Sequence, residues 1–501
     1  MVKSTREKVT GAFAWTLLPR AVQLVVSIFT SILIVRSLGE FEYGTLSVLR
    51  TPLALVTLLA GLGLGQALNR FVPELRVQDR ANEGRALLMR CLSMQTAVWA
   101  VTTVILLALR GYLTANFPTY GDLLILGALL SVTEVLNGTL SQYAIASYRT
   151  REMAAGVTVG SLVLALATAG LLHLGLQVEG VLLGAALGQI AGLAVLVGVL
   201  RRQQTSTSAS ATPPAPFPTR RLLGYALPWM PNNLLNYVVW RQSETIFLGI
   251  YRTRQEAGFF DLAYKLPQLA LEFLPSAVYP LLLAGFSETA TVRRESMPWF
   301  VSLYYRLLYF VVAPISVLGF VLGDLAIRVL YGEPMAPAGP YAQAFFLIFA
   351  VTFLGTPLSM AVYVAEKVWV NLLLNIGYAT LNVGLDILLI PRYGLLGATI
   401  PTAIVGAIVP FVRWFIARRY MPGLTIPWRF IGRCYLASAS AVWLFALKPY
   451  AQGFGGLLGL SLLGILTIAI SYRLLRVLGK DEREFLSRSH LPGRDLVLRL
   501  F

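Results

Sequence analysis

Two basic residues inside apolar stretches set the chemistry to look for. Arg50 follows Tyr43-Gly44-Thr45-Leu46-Ser47-Val48-Leu49 and precedes Thr51-Pro52. Lys265 follows Ala257-Gly258-Phe259-Phe260-Asp261-Leu262-Ala263-Tyr264 and precedes Leu266-Pro267. From 50 to 265, and from 52 to 267, the offset is the same 215 residues. A charge at the centre of a membrane helix costs about 2.5–3.5 kcal/mol unless it faces protein or water. Its recurrence at equivalent places predicts a wet cavity lined for an anion. Arg20, Arg241 and Arg306 fall in further apolar stretches and extend the set into a ladder of positive charge. A guanidinium holds a phosphate in a fork of two hydrogen bonds, whereas an ammonium acts as a point charge. The competing reading is structural. Asp261 lies four residues before Lys265 and Glu244 three after Arg241, so each pair can neutralise itself, and Arg20 and Arg306 can snorkel to an interface.

A second set is rich in oxygen. Asn382 and Asp386 share one helix face; Thr399 and Thr402 lie on the following apolar stretch, and Glu244 on an earlier one. Carboxylate, amide and hydroxyl oxygens suit a Na⁺ or a transferable proton, and they equally suit a buried polar cluster that pins helices together. Glu134 and Glu272 are the other acids within apolar stretches.

Membrane helices must position these groups. Of 501 residues, 56% are hydrophobic and 13% charged, about half the charged share of a soluble protein. Apolar runs of bilayer-spanning length recur throughout, which predicts an all-α polytopic membrane protein and not a β-barrel of short alternating strands. About fourteen spans are expected, near 13–36, 44–68, 90–109, 121–145, 154–174, 180–200, 224–250, 259–285, 299–322, 341–365, 368–390, 395–417, 429–447 and 455–475. The net charge of +17 does not point to nucleic acid, because Lys and Arg crowd into loops after even-numbered spans. That bias places both termini in the cytoplasm. The run after Lys3, Arg6 and Lys8 reads as a first membrane helix, without a signal-peptide cleavage site. Cys91 and Cys434 offer no disulfide framework, and His173 and His490 no metal site.

The offset persists along the chain. Arg151 to Arg202 and Lys367 to Arg419 each read as helix, glycine-containing hairpin, and helix ending in two arginines. The expected plan is two parallel-repeat six-helix lobes, 1–202 and 221–419, joined by a disordered cytoplasmic linker at 203–220 rich in Thr, Ser, Ala and Pro. Two additional helices occupy 420–478, and a basic cytoplasmic tail 479–501 suits an anionic leaflet.

Val35-Arg36-Ser37-Leu38-Gly39-Glu40-Phe41-Glu42-Tyr43-Gly44 resembles the opening signature of polysaccharide flippases of the multidrug/oligosaccharidyl-lipid/polysaccharide exporter superfamily. Pro391-Arg392-Tyr393-Gly394-Leu395-Leu396-Gly397-Ala398-Thr399-Ile400 resembles the hairpin before that family's twelfth span, and Val329-Leu330-Tyr331-Gly332-Glu333 its loop after the ninth. The likeness extends over essentially the whole chain through the order and spacing of motifs. It implies alternating access by two six-helix lobes that carry a polyprenyl-diphosphate-linked oligosaccharide across a prokaryotic cytoplasmic membrane. By resemblance to lipid II flippases, Arg20, Arg50 and Lys265 meet the lipid diphosphate. The resemblance likewise implies a cation site between the seventh, eleventh and twelfth spans, with Asn382 and Asp386 in the matching pattern. The chain departs by carrying Lys265 and Glu244 where relatives often have Arg and Asp. No cofactor is implied beyond a coupling Na⁺ or H⁺; the implied partners are membrane lipids, a polysaccharide polymerase and glycosyltransferases. The rivals are an organic-cation exporter of the same superfamily, a membrane glycosyltransferase, polymerase or ligase, and a non-transporting scaffold. Asp324 to Pro340, the longest expected extracytoplasmic loop, holds no convincing acid–base pair for the enzyme reading.

Overall fold

Glycine at 39 shapes the first hairpin. The computed structural model describes residues 2–78, 80–147, 149–202, 217–240, 243–272, 297–364 and 368–479. The helical run α1 (Val2–Gly61) covers both the first expected span and most of the second, broken at Gly39 with φ 70° and ψ −176°. The seven-residue loop expected at 37–43 is therefore a single-residue break. Only glycine enters that left-handed region without a Cβ penalty. A second break at Leu62 and Gly63, with φ 49° and 68°, separates α1 from α2 (Leu64–Val77).

The remaining spans follow as α3 (Ala81–Ala108), the short α4 (Arg110–Asn116), α5 (Gly121–Ala146), α6 (Thr150–His173) and α7 (Val178–Arg202). Next come α8 (Thr219–Ala226), α9 (Trp229–Trp240), α10 (Glu244–Tyr251), the helix α11 over 254–272, and α12 (Met297–Tyr331). The chain continues with α13 (Gly339–Thr352), α14 (Gly355–Val364), α15 (Val368–Tyr393), α16 (Leu395–Tyr420), α17 (Trp428–Ser438), α18 (Leu444–Leu447) and α19 (Gly453–Leu474). Among the described residues there is no strand, and eleven helical runs are long and apolar enough to cross a membrane. The chain is an all-α, multi-pass membrane protein. The seventh expected span, 224–250, is instead divided among α8, α9 and α10. Pro228 lies at the first division, where it removes a backbone donor.

Two compact units partition the chain, Met1–Gly258 and Phe259–Phe501. In the first, α2, α3, α5, α7 and α8 share a core that includes Leu68, Phe71, Cys91, Leu140, Leu196 and Leu222. Phe217, which composition assigned to the linker, is buried in that core. The Arg90 guanidinium donates to its carbonyl at 2.7 Å, and Arg221 pairs with Glu74 at 2.7 Å while lying over the Phe71 and Phe217 rings. The rest of that stretch, 203–216, and the tail 480–501 lie outside the described residues. Helices α6 and α7 approach closely at glycines: a Cβ on Gly188 would meet the Gly160 carbonyl oxygen at 2.7 Å, and one on Gly160 the Gly188 oxygen at 2.9 Å. Small residues let membrane helices pack backbone to backbone where lipid supplies no hydrophobic drive.

In the second unit α12 carries two contacts. Tyr305 and Tyr309 donate their hydroxyls to the Leu354 and Ala350 carbonyls, at 2.6 and 2.7 Å. On another face Val321 and Leu322 pack with Cys434, Leu444 and Ile468, which attaches α17 and α19 to α12. Both cysteines are free and buried.

Gly188→Leu is expected to force α6 and α7 apart and cost about 1–3 kcal/mol, read as earlier denaturant unfolding of the protein in detergent. Gly198→Ala on the same helix, where a Cβ meets nothing within 4 Å, should leave the midpoint nearly unchanged.

Candidate functional site

The two copies of the repeated stretch touch at their beginnings, within the first unit. Gln255 donates to the Glu40 carboxylate at 2.9 Å, and these residues are themselves 215 apart. A Cβ on Gly258 would come within 3.1 Å of the Gly44 Cα, and one on Gly44 within 2.0 Å of the Arg254 carbonyl oxygen. Neither contact survives a side chain without displacement of backbone. Arg254 donates to Thr45 Oγ1 at 3.2 Å, and the Thr51 and Thr245 hydroxyls lie 3.2 Å apart, so α1 is bonded to the start of α11 and to α10. Burial raises the Tyr120 phenol above its usual range just before α5, with Arg254 opposing and Glu42 adding to the effect.

Arg50 projects from the second arm of α1 with its guanidinium carbon 5.8 Å from the Tyr43 ring centroid, and it is only half-buried. Tyr43 is fully buried, so the cation rests on an aromatic wall, an arrangement favourable for a guanidinium. Thr45, Ser47 and Thr51 on the same arm are buried; the first two return their hydroxyls to carbonyls one turn back, the usual way for such groups to avoid an unmet donor in an apolar span.

In the second unit Lys265 Nζ lies 2.6 Å from Asp261 Oδ2. The aspartate is 1% exposed and the lysine side chain 29%, so the pair is anchored inside and open at its cationic end. Phe260 and Tyr264 beside it pack on Phe345 and Phe349 of α13. Arg306 is half-buried on α12. Arg20 lies on α1 where only the backbone is described, and Arg241 lies outside the described residues.

The oxygen-rich set is brought together in part. Asn382 and Asp386 are fully buried on α15, with Asn382 Nδ2 3.4 Å from Asp386 Oδ2. Thr399 and Thr402 are buried on the neighbouring α16 and donate to the Leu395 and Ala398 carbonyls, at 2.9 and 3.3 Å. A hairpin joins these helices through Gly394, with φ 54°, and is tight enough that a Cβ on Gly397 would reach the Leu389 oxygen at 2.4 Å. Glu244 is buried at the first turn of α10, in the other unit. Among the described residues no group of three or more His, Cys, Asp and Glu side chains gathers for a metal ion.

Sequence reading passed over one intramembrane cation. Arg413 on α16 is half-buried and donates to Ser359 of α14 at 2.6 Å. It falls inside the expected span 395–417, so the charge-in-a-span criterion applied to Arg50 selects it equally.

Residues 33–339 match the model of the polysaccharide biosynthesis protein family, and the chain belongs to that family. Its fold is similar to those of several solved transporters. It resembles the lipid II flippase MurJ in an inward closed conformation, with 17% identity, a TM-score of 0.62, and coverage of 93% of this chain and 99% of that one. A multidrug resistance MATE family transporter in an inward-facing conformation aligns at 14% identity and TM-score 0.63 over 80% of this chain and 95% of its own. A MOP-superfamily transporter from Pyrococcus furiosus, described as having a binding pocket of reversed polarity, aligns at 13% and 0.59 over 83% and 96%. No curated protein matches the chain.

Removing Asp261 alone leaves the Lys265 charge in an apolar helix, and removing Lys265 alone leaves a buried carboxylate. Asp261→Asn and Lys265→Met should each lower stability, and the double variant should recover part of the loss, with a coupling of about 0.5–3 kcal/mol. Unfolding of the four proteins in detergent measures it; strict additivity would show the two charges to be independent.

Proposed function

We propose that the chain is a flippase that moves a polyprenyl-diphosphate-linked oligosaccharide across the cytoplasmic membrane of a prokaryote by alternating access, with both termini in the cytoplasm. The observation that carries this reading is membership of a polysaccharide biosynthesis family in a chain whose own apolar spans hold cations at repeat-equivalent positions, Arg50 and Lys265. Arg20, Arg50, Arg241, Lys265 and Arg306 are the residues we assign to the diphosphate. The likeness of fold to a lipid II flippase supports the class of cargo.

The reaction is transport, without a catalytic residue. Of the two acids between Asp324 and Pro340, Asp324 lies within α12 with its carboxylate held by Lys448 at 2.6 Å and Gln343 at 3.3 Å, a structural tie, and the other is Glu333. Lipid-exposed sugar would pass to a polymerase, and glycosyltransferases would supply it. Direction requires a bias on release, because a site that binds cargo equally in both states imposes none. A membrane potential supplies about 2.3 kcal/mol per charge per 100 mV. We assign Glu244, Asn382, Asp386, Thr399 and Thr402 to coupling by Na⁺ or H⁺.

The test uses the full chain in liposomes with a fluorescent polyprenyl diphosphate carrying a short oligosaccharide, its exposure read by an impermeant quencher. Arg50→Ala, and Lys265→Met combined with Asp261→Asn so that no buried carboxylate is left unpaired, should each slow exposure at least tenfold per folded protein. Wild-type protein that leaves this lipid in place and instead extrudes ethidium would favour the organic-cation exporter. A rate insensitive to Asp386→Asn and to both Na⁺ and proton gradients would remove the coupling assignment.

A further inference from the structure

Of the two intramembrane acids outside both sets, Glu134 and Glu272, Glu134 lies in the first unit. Glu134 stands about midway along α5, roughly 20 Å from Gly121 at 1.5 Å per residue. The Thr57 hydroxyl of α1 lies beside its carboxyl group. Protein surrounds Glu134 on most sides, yet its side chain remains exposed, so it lines open space within the first unit's mass. One turn further along each helix the lining residue is glycine: Gly61 after Thr57 and Gly138 after Glu134. A Cβ at either would meet nothing within 4 Å. Both positions, one turn from Thr57 and from Glu134, thus face open space.

Gly61 adjoins the break between α1 and α2. Leu62 adopts φ 49°, an unfavourable region for a branched side chain, and Gly63 follows at 68°. Buried Gln95 of α3 holds the break by donating to the Gly61 carbonyl at 3.0 Å, and Thr139 of α5 donates to Gln95 at 2.6 Å. Interrupted helices that place backbone carbonyls beside a carboxylate at mid-membrane are a form that ion- and proton-coupled carriers use. A single carboxyl group and one hydroxyl supply too few oxygens for a metal ion, which takes about six, but enough for a proton.

The charged neighbours are distant along their own spans. On α1 the nearest is Arg50, two turns before Thr57. The charges of α2 are Arg70, Glu74 and Arg76; those of α3 are Glu83, Arg85 and Arg90, with Cys91 beside them; α4 has Arg110 and Tyr112. Helix α6 has Arg151, Glu152 and His173, and α7 has Glu179, Arg201 and Arg202, all at helix ends. On α5 itself the other titratable groups are Asp122, in its first turn, and Tyr143.

We infer that Glu134, seated against Thr57 at the α1–α2 break, is a proton-binding site of the N-terminal unit that loads and unloads during the transport cycle. This rests on the reading of the chain as a transporter. A purely structural hydrogen bond to Thr57 would be served as well by glutamine, and that difference can be measured. The experiment records infrared difference spectra of the full chain in lipid between acid and alkaline pH. The wild type should show a protonated-carboxyl band that Glu134→Gln removes and Thr57→Val shifts, with Glu134→Asp restoring a displaced band. Spectra of wild type and Glu134→Gln that superimpose would overturn the site. In liposomes carrying the fluorescent lipid, an acid external bath should accelerate exposure several-fold for the wild type and leave Glu134→Gln flat; equal acceleration of both would also overturn it. If the lipid does not move in any protein while the band is present and lost in Glu134→Gln, the flippase reading fails and the proton site stands.

Discussion

Bilayer hydrocarbon offers no water to a stranded polar group, so each one must meet protein or line a wet cleft. This constraint orders the interior of both units. Tyrosine hydroxyls on α12 reach carbonyls at the end of α13 and just beyond it, threonines and serines bond one turn back, and Asp261 is matched by Lys265 four residues on. Arg50 lies against the buried Tyr43 ring, with its surface partly open. Lys265, beside a sealed Asp261, is matched yet open at its cationic end.

The repeated stretch adds a second condition, close backbone approach. Gly44 and Gly258 lie so near that side chains are excluded, and Gln255 bonds Glu40 across the repeat offset. Its polar members include two charged groups, the Glu40 carboxylate met by the Gln255 amide and the Arg254 guanidinium met by the Thr45 hydroxyl.

Most of the helical plan was legible in the residues, because bilayer-length apolar runs leave little choice of secondary structure. What hydropathy cannot measure is continuity. Gly39 turns an expected loop into a one-residue break, Pro228 falls where a supposed single span divides, and Phe217 extends the folded core into a stretch that composition alone made a linker. The expected boundary of the repeats and the division between compact units at Gly258 are different quantities, one a matter of sequence offset and the other of contacts. The candidate site residues stood out in the sequence as charged or polar groups in apolar stretches: Arg50, Lys265, Asn382 and Asp386. Pairing was visible for Lys265 through its spacing from Asp261. The junction of Glu40 with Gln255 was not, because no local pattern announces a contact 215 residues away. Arg413 met the same criterion as Arg50, but its bond to Ser359, 54 residues away, has no local pattern.

The central proposal is that Arg50 and Lys265 are each open to water and each able to meet a diphosphate. Cysteine accessibility tests it most directly. With the buried Cys91 and Cys434 replaced by alanine, Arg50→Cys and Lys265→Cys variants in membrane vesicles would be treated with a charged, membrane-impermeant thiosulfonate. The predicted result is modification at both positions, slowed by added polyprenyl diphosphate. Thiols at both positions that stay unreacted, or react at a rate indifferent to that lipid, would contradict it.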